Sequence, residues 1–237
     1  MPVRNAGGGR RAYHFKVPPM TAQERIERAA SALKVFPLPS AVLFPHTVIP
    51  LHIFEPRYRA LVRDALAGDR ILALSQLEPG WEGDYGGRPP MQPMMCAGVI
   101  VWDEQVEEGR YNILLQGVCR VRMASELTGD KAYREVQAEA LPDFPYEGPE
   151  EEQLRQAVFE LAGRVPPSFA ENLLPVAARA QGGMLADVVA SAVIPEPERR
   201  QALLAELDVR RRLEGVLEDV GALIGRLQPL RPTGPLN

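Results

Sequence analysis

Three histidines and two cysteines are the strongest metal-ligating and nucleophilic candidates in this 237-residue chain. His14 lies close to the N-terminus. His46 and His52 stand six residues apart among prolines, so the H-E-x-x-H spacing that sets two imidazoles on one helix face is absent. A metal at His46 and His52 would need carboxylates from elsewhere in the fold, and polar residues at strand ends are the simpler reading. Cys96 and Cys119 each sit inside an apolar run and read as buried, reduced thiols that act as small hydrophobes, not as a disulfide or ligand pair. Ser40, Ser75, Ser125, Ser168 and Ser191 lack the strand–turn–helix setting of a nucleophile elbow. The expectation is a chain with no catalytic group, no metal and no cofactor.

Recognition chemistry is better represented. Trp81 and Tyr85 lie in a polar, glycine- and proline-rich stretch, Glu78 to Pro93, and large aromatics in such a loop are the residue types that anchor interfaces. The loop is expected to be mobile in the free protein. Glu55 and Arg57, in Phe-Glu-Pro-Arg-Tyr, either orient a bound peptide or fix a helix start, where an acid already has an electrostatic reason to be. With Arg59 they complete the candidate polypeptide-binding set Trp81, Tyr85, Glu55, Arg57 and Arg59. Arg120 and Arg122 suit an anion patch or, more simply, a solvated strand face.

The elements that position these residues follow from proline placement and apolar period. Phe36 to Arg59 reads FPLPSAVLFPHTVIPLHIFEPRYR, with prolines at 37, 39, 45, 50 and 56. Proline fixes φ and supplies no N–H, so this must be short, bent strands, Val35 to Leu38, Ala41 to Phe44 and Val48 to Phe54, leading into a helix from Pro56. Before it, Thr21-Ala-Gln-Glu24 has capping-box spacing, and Ile26, Ala29, Ala30 and Leu33 share one helix face. After it, Ile71 to Leu77, Met95 to Trp102 and Tyr133 to Leu141 read as strands, the second buried on both faces. Arg110 to Met123 reads as a bent strand pair with Val118, Arg120 and Arg122 on its wet face. Beyond Pro142 to Pro149 the pattern is helical, with stripes at Leu154, Val158, Phe159, Leu161 and Ala162, and later at Val209, Leu213, Val216, Leu217, Val220, Leu223, Ile224 and Leu227. Strands without a βα rhythm, then helices with one apolar face each, imply an α+β chain: a mainly antiparallel barrel-like sheet and a helical bundle. The division expected is a flexible basic tail 1–19, an N-terminal helix 20–34, a β domain 35–141, a linker 142–149, a helical bundle 150–228 and a tail 229–237.

Charge narrows the partners. Arg4, Arg10, Arg11 and Lys16 give the first nineteen residues +4 with no acid, so the rest, by difference from the net −4, carries −8. An acidic body argues against a broad nucleic-acid or anionic-membrane surface. No apolar run approaches the ~18 residues of a membrane span, and the basic tail has no secretory core, so a cytoplasmic protein is the expectation.

The opening run resembles the N-terminal, substrate-binding domain of Lon proteases and its stand-alone relatives: an apolar-Pro-Leu-Pro start, then Val-Leu-Phe-Pro, then Ile-Pro-Leu-His-Ile-Phe-Glu-Pro-Arg-Tyr. Cys96-Ala-Gly-Val-Ile with Arg110-Tyr-Asn-Ile-Leu-Leu-Gln-Gly-Val-Cys-Arg-Val resembles that family's central strands. Leu185-Ala-Asp-Val-Val-Ala with Arg200-Gln-Ala-Leu-Leu-Ala-Glu-Leu-Asp-Val-Arg-Arg-Arg-Leu resembles its helical half. The resemblance implies a PUA-like β pseudo-barrel followed by an α-helical bundle. It departs from full Lon proteases in lacking a GxxxxGK[ST] phosphate loop and room for a Ser-Lys peptidase, and from the related cereblon in lacking paired Cys-x-x-Cys. The expectation is a noncatalytic module that binds unfolded or exposed polypeptide, an adaptor for a separate protease or chaperone. The alternative is a PUA-like RNA-binding protein, because PUA-like folds are associated with RNA.

Overall fold

The computed structural model describes residues 21–227. The expected basic tail 1–19 and C-terminal tail 229–237, with His14, lie outside the described residues. Thr21 caps helix α1 (Ala22–Ala29): its hydroxyl accepts from the Glu24 N–H at 3.2 Å, and Glu24 reaches back to the Thr21 N–H at 2.7 Å. One 3₁₀ turn, Ala30–Ala32, separates α1 from the sheet, so Leu33 opens a strand and is not on the helix face expected for it.

Six strands follow: β1 (Leu33–Leu38), β2 (Val48–Ile53), β3 (Ile71–Gln76), β4 (Met94–Gln105), β5 (Tyr111–Glu126) and β6 (Arg134–Leu141). Their order is β2-β5-β4-β3-β1-β6, and β6 also pairs with β5, which closes β5-β4-β3-β1-β6 into a ring. All pairings are antiparallel except β1 with β3. That parallel pair needs a long crossover, and the chain supplies it as β2 plus helix α2 (Pro56–Leu66). Alternate residues of all five ring strands, among them Val35, Ala73, Met95, Val121 and Val136, pack with Ile26 of α1. A closed barrel needs such an interior.

Three expectations change here. Ala41 to Phe44 is buried but forms no strand, because prolines at 39 and 45 bracket it and remove ladder donors. The pair expected over Arg110 to Met123 is one continuous 16-residue strand, β5, whose first half pairs with β2 and β4 and whose second half pairs with β6 and β4. Met95 to Trp102 is not buried throughout: a register shift between Ile100 and Trp102 turns Val101 and Trp102 outward.

The helical half comprises α3 (Pro149–Ala162), α4 (Pro167–Ala177), α5 (Gly182–Val193), α6 (Pro197–Ala205) and α7 (Val209–Arg226). Of the expected stripes, α3 buries Leu154, Val158 and Leu161 but leaves Phe159 exposed, and α7 buries Val209, Leu213, Val216, Val220 and Ile224 while Leu217, Leu223 and Leu227 are only partly buried. Pro175 sits inside α4, which ends two residues later. One hydrophobic cluster runs without a break from Phe44, Leu61, Leu72 and Leu115 on the barrel side to Leu154, Val189, Leu204 and Leu213 in the helices.

Candidate functional site

The stretch from Glu78 to Pro93 leaves the barrel at β3 and returns to it at β4. Its base is a continued ladder: Leu77 bridges Met91, the Glu78 N–H donates to the Pro90 carbonyl at 2.9 Å, and the Gln92 N–H donates to the Gln76 carbonyl at 2.8 Å. At its tip Gly80, at φ +91°, makes the left-handed turn that starts a 3₁₀ helix, Trp81–Asp84. The Trp81 and Tyr85 rings meet edge to face, centroids 5.4 Å apart, and both half-buried side chains rest on the barrel-interior cluster.

The structure brings Glu55 and Arg57 to this pair. The Tyr85 hydroxyl donates to Glu55 Oε1 at 2.7 Å, Arg57 Nε donates to Glu55 Oε2 at 3.1 Å, and Arg57 Nη2 donates to the Tyr85 carbonyl at 3.0 Å. The Arg57 guanidinium also lies 4.6 Å from the Tyr58 ring centroid and 4.9 Å from that of Tyr85. Burial first, and then the bond to Glu55, push the Tyr85 phenol above its ordinary pKa, so it stays a donor. Glu55 is the N-cap residue of α2 yet makes no side-chain bond to the helix backbone; its carboxylate is turned to Tyr85 and Arg57 instead. Arg59 is not in this group, since its guanidinium lies beside Gly109, at the β4–β5 turn. The loop expected to be mobile is thus tied to α2 at Tyr85, and the Arg134 guanidinium holds its Pro89 carbonyl at 2.6 Å.

Two hollows flank the loop. One, of about 240 Å³, lies between Trp81, Pro39, Gln92 and the α6 residues Glu198 and Gln201. It sits where the barrel, the loop and the helices meet, and Gln201 closes its floor by donating to the Met94 carbonyl at 2.8 Å. The other, of about 220 Å³, lies on the Tyr85 side and is walled by Arg57, Tyr58, Arg88, Lys131, Tyr133 and Arg134, among others.

Arg120 is not on a wet face. Its side chain is 1% exposed and makes a two-pronged pair with Asp187 of α5, Nη1–Oδ2 2.9 Å and Nη2–Oδ1 2.6 Å, while Nε donates to the Leu204 carbonyl at 2.9 Å. Arg212 of α7 approaches Asp187 at 3.3 Å and pairs with Asp143, so two arginines and two aspartates bind β5, the barrel–helix connection, α5 and α7 together. Alternation along β5 missed this because the helices cover that face. Two signals were available: Asp187 is the one charged residue in Met184-Leu-Ala-Asp-Val-Val-Ala, and Arg212 sits at a stripe position one turn before Val216. Arg122 is exposed, as expected.

Sequence reasoning also missed an apolar outer face. Beyond the ring, β2, β5 and β4 form a three-stranded ribbon in which Pro50, Leu114 and Trp102 stand in one row, with Val48 and Phe54 exposed nearby. His52 lies on the same ribbon with Nδ1 2.7 Å from Asn112 Oδ1, a strand-surface polar residue. Cys96 and Cys119 are free and buried, and they belong to different clusters, Cys96 toward the helices and Cys119 in the barrel interior. No group of three or more metal-ligating side chains occurs among the described residues.

Comparison with known proteins places this architecture. Residues 32–220 match the model of the ATP-dependent protease La (LON) substrate-binding domain, and the chain belongs to that family. It is 27% identical over 205 residues to a Lon protease of Desulfosudis oleivorans, spanning 85% of this chain and 25% of that protein. It is 30% identical over 198 residues to Lon protease 4 of Sorangium cellulosum, spanning 81% of this chain and 24% of that protein. The chain therefore spans about a quarter of the length of the curated relatives it matches. A Lon N-terminal domain protein from Xanthomonas campestris has the same fold, with TM-score 0.61 and 24% identity over 79% of this chain and 97% of that one. The N-terminal domain of a Mycobacterium avium complex Lon protease does too, with TM-score 0.63 and 17% identity over 80% and 98%. No helix among the described residues is long and apolar enough to cross a membrane.

Proposed function

We propose that this protein is a noncatalytic polypeptide-binding module that holds unfolded or exposed segments along the hollow between the Trp81 loop and α6, acting in the cytoplasm as an adaptor for a separate protease or chaperone. The observation that carries this reading is Trp81 itself. Its indole is partly exposed at the edge of a hollow, backed by Tyr85, and held by a loop that Glu55 and Arg57 fix in place. A side chain so placed offers apolar area to a partner at little ordering cost, because the loop is already set. Membership in a substrate-binding family supports the same role, and relatives named as proteases suggest the kind of partner. Fluorescence anisotropy with a labelled, chemically unfolded reporter protein and its folded form tests it: the unfolded form is expected to bind, and Trp81→Ala to weaken binding about thirtyfold, the threshold of an interface hot spot. Equal binding of both forms, or unchanged binding by the variant, rejects the reading. Binding of single-stranded RNA that falls steeply with salt would replace it with the nucleic-acid alternative.

A further inference from the structure

We propose that the hollow on the Tyr85 side of the loop is a carboxylate-binding site, which takes the free C-terminal carboxylate or an acidic side chain of the bound polypeptide; this rests on the polypeptide-binding reading above. Four of its wall residues, Arg57, Arg88, Lys131 and Arg134, are cationic, and no wall residue is acidic. The carboxylates that pair with them do not line the hollow and are fewer than the cations. Glu55 serves Arg57, Glu126 serves both Arg88 (3.2 Å) and Arg134 (2.5 Å), and Asp64 serves Lys131 (3.2 Å) as well as Arg63 (3.4 Å). Four cations thus share three ion-paired carboxylates, one of them also engaged elsewhere; the Asp84 carboxylate, beside Gly87 of the wall, forms no ion pair with any of the four among the described residues, so the charged side chains of the lining are all positive. On a chain whose charge beyond residue 19 is −8, a positive concavity is a local exception that would draw an anion there.

Donor capacity points the same way. Arg134 has all three nitrogens engaged, Nε and Nη2 on Glu126 and Nη1 on the Pro89 carbonyl, which fixes it as wall although two of its five N–H remain. Arg57 Nη1 makes no hydrogen bond among the described residues, and neither does Arg88 beyond its ion pair with Glu126. Lys131 spends two protons, on Asp64 and the Tyr133 hydroxyl, and keeps a third. Arg88 and Lys131 are about half exposed, at 47% and 48%, so they can turn to a ligand without unpacking anything. The volume, about 220 Å³, is below the ~300–1,000 Å³ usual for small-molecule sites, which suits one side chain or chain terminus and not a nucleotide. The aromatic walls Tyr58, Tyr85 and Tyr133 would take the aliphatic part of that residue.

Calorimetry with four N-acetylated pentapeptides of one sequence tests the site: a free C-terminal acid and its amide, and an amidated peptide with a central Glu and its Gln twin. At least one acid-bearing peptide is expected to bind about tenfold or more tightly than its neutral twin, the worth of a charge-assisted contact. Which twin pair discriminates separates the chain terminus from the side chain. The double variant Arg88→Gln, Lys131→Gln is expected to lose that discrimination with its melting temperature nearly unchanged. If neutral twins bind equally, if no peptide binds, or if the variant still discriminates, the carboxylate site is wrong. Should the unfolded reporter still bind in that case, the polypeptide-binding reading survives. Peptide discrimination without reporter binding would keep the carboxylate site and remove the wider reading.

Discussion

At the scale of single residues, Trp81 combines two demands in one side chain. It is half buried on the barrel interior, so Trp81→Ala should cost about 1–2 kcal/mol, roughly half the loss for a fully buried aromatic, measured by urea denaturation. Tyr85→Phe keeps the ring contact and deletes only the donor to Glu55. We expect it to destabilise by about 1 kcal/mol, since one bond to a charged, part-buried acceptor is lost. The thiols give a pH-dependent outcome. Burial pushes the Cys119 thiol up to about 12 and raises Cys96 well above its ordinary value, so both stay protonated in the fold. In the unfolded chain they ionise near ~8.5, so folding stability falls as pH rises past that point. A thiol reagent at pH 8 should accordingly label neither cysteine until denaturant is added, and rapid labelling of the native protein would contradict the burial.

At the scale of elements, the four-residue ion cluster is what couples barrel to helices. Asp187 is pushed up by burial and held down by Arg120 and Arg212, so its charge depends on those partners. Arg120→Met alone leaves it short of one, and a loss of ~3–5 kcal/mol is expected. Removing both with Arg120→Met and Asp187→Leu leaves Arg212 facing Asp143, a balanced pair, and should restore most of that loss. Thermal melts of the two variants decide between coupling and independent effects. Gly183 is tied to the same cluster, because a Cβ there would overlap Asp143 Oδ2 and Arg212 Nη2; Gly183→Ala should therefore destabilise. Apolar period and proline placement made the strands and helices legible in the sequence, since those signals are local. The pairings of Arg120, Asp143, Asp187 and Arg212 were not legible, because they join positions up to 69 residues apart through a contact that only the packed helices create. Trp81, Tyr85, Glu55 and Arg57 could be nominated one by one from residue type. Their meeting needed the loop's path, and Arg59 shows that sequence proximity to Arg57 did not imply a shared site.

At the scale of the whole molecule, one core spans both halves, so a single unfolding transition is expected in calorimetry, and proteolysis at 142–149 should not release two stable fragments. The chain also shows an apolar ribbon with an edge, β2, that no strand covers among the described residues. The bond from the Gly117 N–H to the Thr47 carbonyl sets the phase of that edge: Ile49, Leu51 and Ile53 turn their backbone groups to β5, and Val48, Pro50 and His52 turn theirs outward. Pro50 thus falls where a visiting strand would seek its middle donor. Under the polypeptide-binding role proposed above, an open edge invites an extended chain to zip onto it, and here the zipper lacks its central tooth. The exposed Trp102 and Val48 leave that edge apolar, so a Pro50→Thr version, with the donor restored, should self-associate on standing, as light scattering would register.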